Sequence, residues 1–222
     1  MHVLVVADGD VPDRSALDTA WPGWDAHVGL VVGADGGALR TDRLGRRPDI
    51  VVGDGDSLGR AGIERLRADG IELRLVSTEK DQSDTELAVT TAIEMGATQL
   101  TVVGGFGGRR FDHGLANVAL LALPALHGRP IVLLDERTRV RLLTGPASLE
   151  LEGRQGDVVS LLPFGADVHG VVTRGLQYPL RDETLEAGPA RGLSNVRVGT
   201  AAGVTARSGR LLVVESPATL PR

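Results

Sequence analysis

Asp54 and Asp56 stand two residues apart in Gly53-Asp54-Gly55-Asp56-Ser57, directly after an apolar run ending at Val52. Two carboxylates at roughly 5 Å repel by on the order of 3 kcal/mol at an effective dielectric of about 20, and a bound cation reverses that sign. A second acidic pair, Asp81 and Asp84, follows in Lys80-Asp81-Gln82-Ser83-Asp84, and Asp35 sits in Gly33-Ala34-Asp35-Gly36-Gly37. Oxygen-only ligands drawn from several loop ends suit a hard ion such as Mg2+, which keeps waters and is shared with substrate phosphates. The glycine-rich segment Gly104-Gly105-Phe106-Gly107-Gly108-Arg109-Arg110 then leads into a helical pattern. It offers backbone N–H groups and a positive helix end to an anion. Carboxylates, magnesium and a phosphate cradle are the parts of phosphoryl transfer.

Each segment taken singly has a structural explanation. Asp81 or Ser83 fits a helix N-cap, and Ser83 with Glu86 reads as a capping box. Asp35 between glycines fits an ordinary turn. A Walker P-loop is excluded, because it needs a Gly-Lys pair and Lys80, the only lysine of the chain, follows Glu79. A dinucleotide fingerprint starting at Gly105 is excluded by Arg110, which stands where the third glycine belongs. Every other cationic side chain is arginine, so a single ammonium among the aspartates reads as a point charge for one phosphate oxygen, against the alternative of a surface lysine.

Short β-branched runs alternating with helical patterns must position these residues, which predicts a parallel sheet with crossover helices. Strands are expected at 3–7, 29–32, 49–52, 72–76, 99–103 and 130–134, with helices at 59–68, 84–95 and 112–126. The second helix carries Ala88, Val89, Ala92 and Ile93 on one stripe, and the third Leu115, Val118, Ala119, Ala122 and Leu126. In such a sheet ligands sit beyond the carboxyl ends of the strands, which is where all four polar segments fall. After about Thr144 the pattern turns to short apolar runs broken by Gly, Pro and Asn, with strands expected at 158–162, 168–172, 203–206 and 211–214 and a hairpin turn at Ser208-Gly209. The expected fold is an N-terminal three-layer α/β domain with a parallel sheet, residues 1–145, followed by a C-terminal all-β, sandwich-like domain, residues 146–222.

A net charge of -5, a pI near 5.5 and no basic run beyond an arginine pair argue against a nucleic-acid partner. No apolar stretch approaches the ~20 residues of a spanning helix, so neither a membrane partner nor a targeting segment is expected, and the reading is cytoplasmic. The chain has no cysteine, which removes disulfides and thiol chemistry.

In combination and order, these segments resemble the thiamine pyrophosphokinase family. That family carries an Ala-Asp-Gly-Gly-Ala turn, a Pro-Asp-x-x-x-Gly-Asp-x-Asp-Ser strand end, a Lys-Asp-x-Thr-Asp-x-Glu-x-Ala helix start and a Gly-rich Arg-x-Asp-His-x-x-Ala-Asn segment. They are matched here by Ala34 to Ala38, Pro48 to Ser57, Lys80 to Ala88 and Gly104 to Asn117. Gly175 to Leu180 and Gly192 to Asn195 look like the family's Gly-Leu-x-Tyr-Pro-Leu and Ser-Asn elements.

The resemblance implies transfer of a pyrophosphoryl group from ATP to the hydroxyl of thiamine, giving thiamine diphosphate and AMP. It also implies a homodimer, with thiamine bound where the α/β domain of one subunit meets the β domain of the other. Asp54, Asp56 and Asp84 would hold Mg2+, with Asp35 and Asp81 close to the metal or ATP. Lys80 and Arg109 or Arg110 would face the polyphosphate beside Gly107 and Gly108, while Asp112, His113 and Asn117 would shape the reacting site. Ser194 and Asn195 would touch thiamine. Either Asp112 or a metal-bound carboxylate would take the hydroxyl proton. The chain departs from the family at Leu39 (often Asn), Ser83 (Thr), Gln177 (a basic residue) and the additional Arg109, and none of these removes a proposed metal ligand. The competing readings are a magnesium-dependent phosphohydrolase and a non-catalytic regulator that binds nucleotide or thiamine.

Overall fold

Six short apolar runs become the strands of one parallel sheet: β1 (His2–Val6), β2 (Val28–Ala34), β3 (Ile50–Gly53), β4 (Glu72–Leu75), β5 (Gln99–Val103) and β6 (Ile131–Leu134). The computed structural model describes residues 1–108 and 110–218. Strand order is β6-β5-β1-β2-β3-β4, so the chain builds outward from β1 in one direction and then returns to its other side. Every residue of β1 and β3 is buried, as strands covered on both faces require, while edge strand β4 keeps three of its four residues exposed.

Helices α1 (Arg14–Ala20), α2 (Gly59–Ala68), α3 (Asp84–Glu94) and α4 (Phe111–Leu120) connect these strands. Leu17 of α1, with Trp21 and Trp24 behind it, packs into a cluster with Leu4, Val6, Val31 and Val103. Helix α3 lies across β1, β2 and β3 and buries the predicted Ala88, Val89 and Ala92. The stretch Asp35–Leu44 is a 3₁₀ helix closed by Gly45 in the left-handed conformation.

Two expectations for this unit are corrected. The third helix ends at Leu120, followed by a 3₁₀ turn at Pro124–Leu126, because Pro124 lacks an N–H and bars its predecessor from helical geometry. Its predicted apolar stripe is buried only in part: Leu126 is buried, but Leu115 is 56% exposed, whereas the polar Asn117 is buried. Helix α1 has too few residues for its periodicity to stand out in the sequence.

The second unit begins at Arg137, earlier than the expected boundary, because β7 (Arg139–Thr144) pairs along its whole length with β14 (Arg210–Ser216). Antiparallel strands in the order β12-β9-β14-β7 form one layer, where β9 is Val158–Pro163 and β12 is Asn195–Val196. The other layer runs β11-β10-β13-β8, formed by Arg181–Leu185, Val168–Arg174, Ala202–Ala206 and Ala147–Leu151. Leu143, Val159, Leu161 and Val213 from the first layer meet Leu151, Val168, Val171 and Val204 from the second in one apolar core. This is the expected sandwich. The Ser208-Gly209 turn is present but is no hairpin: β13 and β14 belong to different layers, so the turn carries the chain across the sandwich.

Candidate active site

The carboxyl ends of the parallel strands supply the site. Strand β2 delivers Asp35, β3 delivers Asp54, and α3 opens with Asp84. One carboxylate oxygen from each of these three lies within 4.8 Å of the others. Close approach is possible because Gly53 has a φ of +146°; a Cβ there would stand 2.9 Å from Asp35 Cβ and 3.2 Å from Asp84 Oδ1. Asp35 itself adopts a φ of +44°, a conformation that aspartate tolerates better than most residues, and it is only 2% exposed.

The partners of these carboxylates are unequal. Asp35 Oδ2 accepts the Ser57 N–H at 3.0 Å, while its buried Oδ1 has no partner. Burial pushes the Asp35 carboxyl up to about 6, with the Asp56 and Asp84 carboxylates adding to the rise and the Ser57 hydrogen bonds opposing it. Lys80 Nζ donates to Asp54 Oδ2 at 2.9 Å and lies 2.9 Å from Asp84 Oδ1. The Lys80 hydrogen bond, helped by the Asp56 N–H, holds the Asp54 carboxyl below the usual carboxylate range. Burial alone would lower the Lys80 ammonium, but its bonds to Asp54 and Asp84 outweigh that and raise it. Three carboxylates against one ammonium leave a net negative centre with a vacant acceptor, which fits a hard divalent cation.

Asp56 stands exposed at the rim, where Ser57 Oγ donates to its carboxylate at 3.2 Å. Asp81 is likewise exposed, and Ser83 is the residue that caps α3, its Oγ accepting the Glu86 N–H at 3.1 Å.

At the junction of β1 and β5 the sheet order reverses, which is where open α/β sheets bind ligands. Gly9 N–H donates to Gly104 O and Asp10 N–H to Phe106 O, both at 2.9 Å. Gly104, at a φ of +74°, lies so close that a Cβ would come within 2.4 Å of Ala7 O. Asn117 Nδ2 ties the same loop to α4 by donating to Gly105 O at 2.8 Å. Gly107, Gly108, Arg110, Asp112 and His113 are exposed around this loop, with Arg110 Nε donating to Asp112 Oδ1 at 3.1 Å. That guanidinium holds the Asp112 carboxyl below its ordinary value. Arg109 lies outside the described residues.

Sequence reasoning missed the tail of β1. Arg40 reaches from the 3₁₀ helix to pair with Asp8 Oδ1 at 2.8 Å and to donate to Gly9 O. The signal was present, because Asp8-Gly9-Asp10 repeats the spacing of Asp54-Gly55-Asp56 after a strand.

In the second unit, Asn195 is buried and clamps the Tyr178 backbone, its Nδ2 donating to Tyr178 O at 2.7 Å and its Oδ1 accepting Tyr178 N–H at 3.0 Å. Asn195, Tyr178, Pro179 and Leu193 line a cavity of about 170 Å³. Its volume is below the roughly 300 Å³ at which pockets enclose whole small molecules. Ser194 is exposed beside it, at a φ of +56°.

The family model described as Thiamin pyrophosphokinase, catalytic domain, matches residues 24–133, and that described as Thiamin pyrophosphokinase, vitamin B1 binding domain, matches residues 148–211. The chain is 28% identical over 193 residues to the thiamine pyrophosphokinase of Bacillus subtilis (strain 168), covering 86% of this chain and 89% of that protein. It superposes on the crystal structure of the Bacillus subtilis enzyme with a TM-score of 0.84 at 26% identity, covering 98% of this chain and 99% of that one. The thiamin pyrophosphokinase structure from Geobacillus thermodenitrificans gives 0.81 at 25% identity over 99% of both chains. With both family domains present in order, this chain belongs to the thiamine pyrophosphokinase family.

Proposed function

We propose that this protein transfers the pyrophosphoryl group of ATP to the hydroxyl of thiamine, releasing thiamine diphosphate and AMP. The observation that carries this reading is the convergence of Asp35, Asp54 and Asp84, with an orphaned acceptor, at the strand ends of a fold shared with thiamine pyrophosphokinases.

The bond that forms joins the thiamine hydroxyl oxygen to the β-phosphorus, and the bond that breaks joins that phosphorus to the oxygen bridging it to the α-phosphate. Little covalent chemistry falls to the protein, so its residues align the reactants and neutralise charge. Asp54 and Asp84 hold Mg2+ in this reading, with Asp35 as the third oxygen donor and Asp56 adding a carboxylate from the rim. The ion, when bound, neutralises the phosphate charge that develops during transfer. Arg110, with Gly107 and Gly108, receives the phosphates, and Lys80 and Asp81 flank them from the α3 side. Asn117 keeps the glycine-rich loop in shape through Gly105, and His113 stands one turn before it on α4. Asp112 or a carboxylate of the cluster takes the hydroxyl proton. Ser194 and Asn195 make the thiamine contacts, Asn195 through the turn it holds at Tyr178.

Assembly as a homodimer and a cytoplasmic location belong to the same reading. Among the described residues no helix is long and apolar enough to cross a membrane.

Incubation with ATP, thiamine and Mg2+, followed by chromatography of the products, tests the proposal. Equimolar AMP and thiamine diphosphate are expected. Phosphate release independent of thiamine would identify a hydrolase, and binding without turnover would identify a regulator.

A further inference from the structure

We infer that Lys80 determines the form in which the acid cluster accepts its cation: it bars the free ion and yields to one that arrives bound to nucleotide. The inference rests on the metal and nucleotide reading above.

Lys80 Nζ is 2.9 Å from an oxygen of Asp54 and 2.9 Å from an oxygen of Asp84, two of the three members of the cluster able to hold a metal. Magnesium binds carboxylate oxygen at about 2.1 Å, so an ion on either oxygen would lie no more than about 5 Å from the ammonium. Two positive charges, one of them double, repel strongly at that distance unless an anion comes between them. Lys80, Asp54 and Asp84 side chains are 17, 12 and 31% exposed, so solvent screens the repulsion poorly. The ammonium therefore competes with the ion for the same oxygens.

Lys80 can leave. Its segment between β4 and α3 has no regular structure, and its four-carbon stem lets the ammonium swing while the backbone stays in place. Leaving breaks the hydrogen bond to Asp54 and the ion pair with Asp84, and both must be replaced. A free ion offers the displaced ammonium nothing. A nucleotide-bound ion brings phosphate oxygens with it, so Lys80 exchanges its carboxylates for phosphate as the ion takes them. Metal and nucleotide then bind with positive coupling that passes through one side chain.

Calorimetric titration with Mn2+, used as a probe for the hard-cation site, tests this with and without ATP and in the absence of thiamine. The wild type is expected to bind the free ion weakly and the ion with ATP tightly. Lys80→Met is expected to bind the free ion about tenfold more tightly than wild type and to lose most of the coupling to ATP. Lys80→Arg keeps the positive charge and is expected to keep free-ion binding weak. Thermal unfolding with added Mn2+ gives a second reading: Lys80→Met should be stabilised more than wild type, even if it starts from a lower midpoint. Equal free-ion affinity in wild type and Lys80→Met, or weaker binding in the variant, would overturn the inference while leaving the metal site standing. Absence of Mn2+ binding to any form, with or without ATP, would overturn both.

Discussion

The cluster of Asp35, Asp54 and Asp84 has one ammonium, bound to Asp54 and Asp84 alone, whereas in the second unit the single carboxylate of Glu215 faces two guanidiniums. Arg139 grips Glu215 in a fork, Nη2 donating to Oε1 at 2.8 Å and Nε to Oε2 at 2.9 Å, and Arg141 Nη2 donates to Oε2 at 2.6 Å. Both oxygens of Glu215 are satisfied from one neighbouring strand, β7, of the same layer, and its side chain is 3% exposed. In the first unit Asp35 Oδ1 is buried and unsatisfied. A buried charge whose partners are all supplied by the protein is part of the scaffold. One left with spare acceptors and excess negative charge is held ready for a cation from outside.

The contrast breaks most visibly at Asp54. Asp54→Asn is expected to reduce AMP formation by at least about 10²-fold, because it removes a charge facing the ammonium and the proposed metal, while a matched circular dichroism spectrum shows the fold intact. Glu215→Gln should do the reverse. Two guanidiniums would lose a buried counter-charge, at a cost of about 3–5 kcal/mol, read as a lower denaturant midpoint. Turnover per folded molecule should stay within twofold. Loss of turnover beyond the loss of folded protein would show that the Glu215 cluster serves the chemistry as well.

The same contrast explains what could be read from the sequence. Asp54 was legible because it follows an apolar run ending in glycine, and Asp84 because it follows a capping serine, whereas Asp56, expected as a ligand, stands at the rim outside the cluster of three. The parallel sheet was legible from its apolar runs, and strand β5 fell at its predicted limits. The role of Asp35 was harder to read, because its place in the cluster depends on a positive φ and on the missing Cβ of Gly53. Arg40 could not be placed, since its partner Asp8 lies 32 residues earlier in the chain and comes close only once β1 and β2 pair. Strand β7 was missed because its Arg-Val-Arg alternation makes sense only beside Glu215, 74 residues beyond Arg141. Layer assignment in the sandwich failed at Ser208-Gly209, since a turn that crosses between sheets has the composition of one that returns within a sheet.

A smaller effect belongs to pH. The Asp35 carboxyl titrates near 3.8 in an unfolded chain and at about 6 in the fold. Between those values the native state keeps a proton that the unfolded chain has released, so this group makes metal-free stability fall as pH rises through the window. The difference amounts to at most about 3 kcal/mol. Asp25 acts oppositely: burial would raise its carboxyl, but Arg46 and Arg14 hold it lower, so its contribution is lost as pH falls. The diagnostic quantity is therefore the difference between wild type and Asp35→Asn. Wild type should lose stability relative to the variant from about pH 4 to 6, and Mg2+ should reverse that loss. A constant difference across the window would remove Asp35 from the unsatisfied class.

The smallest expected effect is at Ser83, which separates preorganisation of the site from general stability. Its hydroxyl caps α3 by accepting the Glu86 N–H at 3.1 Å, and the next residue is Asp84. Ser83→Ala should cost about 1 kcal/mol, a shift in melting midpoint of roughly 2–4 °C for a chain of this size. Fraying of the first turn would also loosen Asp84, whereas Lys80 and Asp54 would keep their bond. Weaker cation binding is therefore expected in Ser83→Ala, and full binding in Glu215→Gln, although the latter loses more stability. Ser83→Thr, which restores a capping hydroxyl, should recover both properties. If cation affinity followed global stability across these variants instead, the acid cluster would be no more independent of the scaffold than Glu215 is.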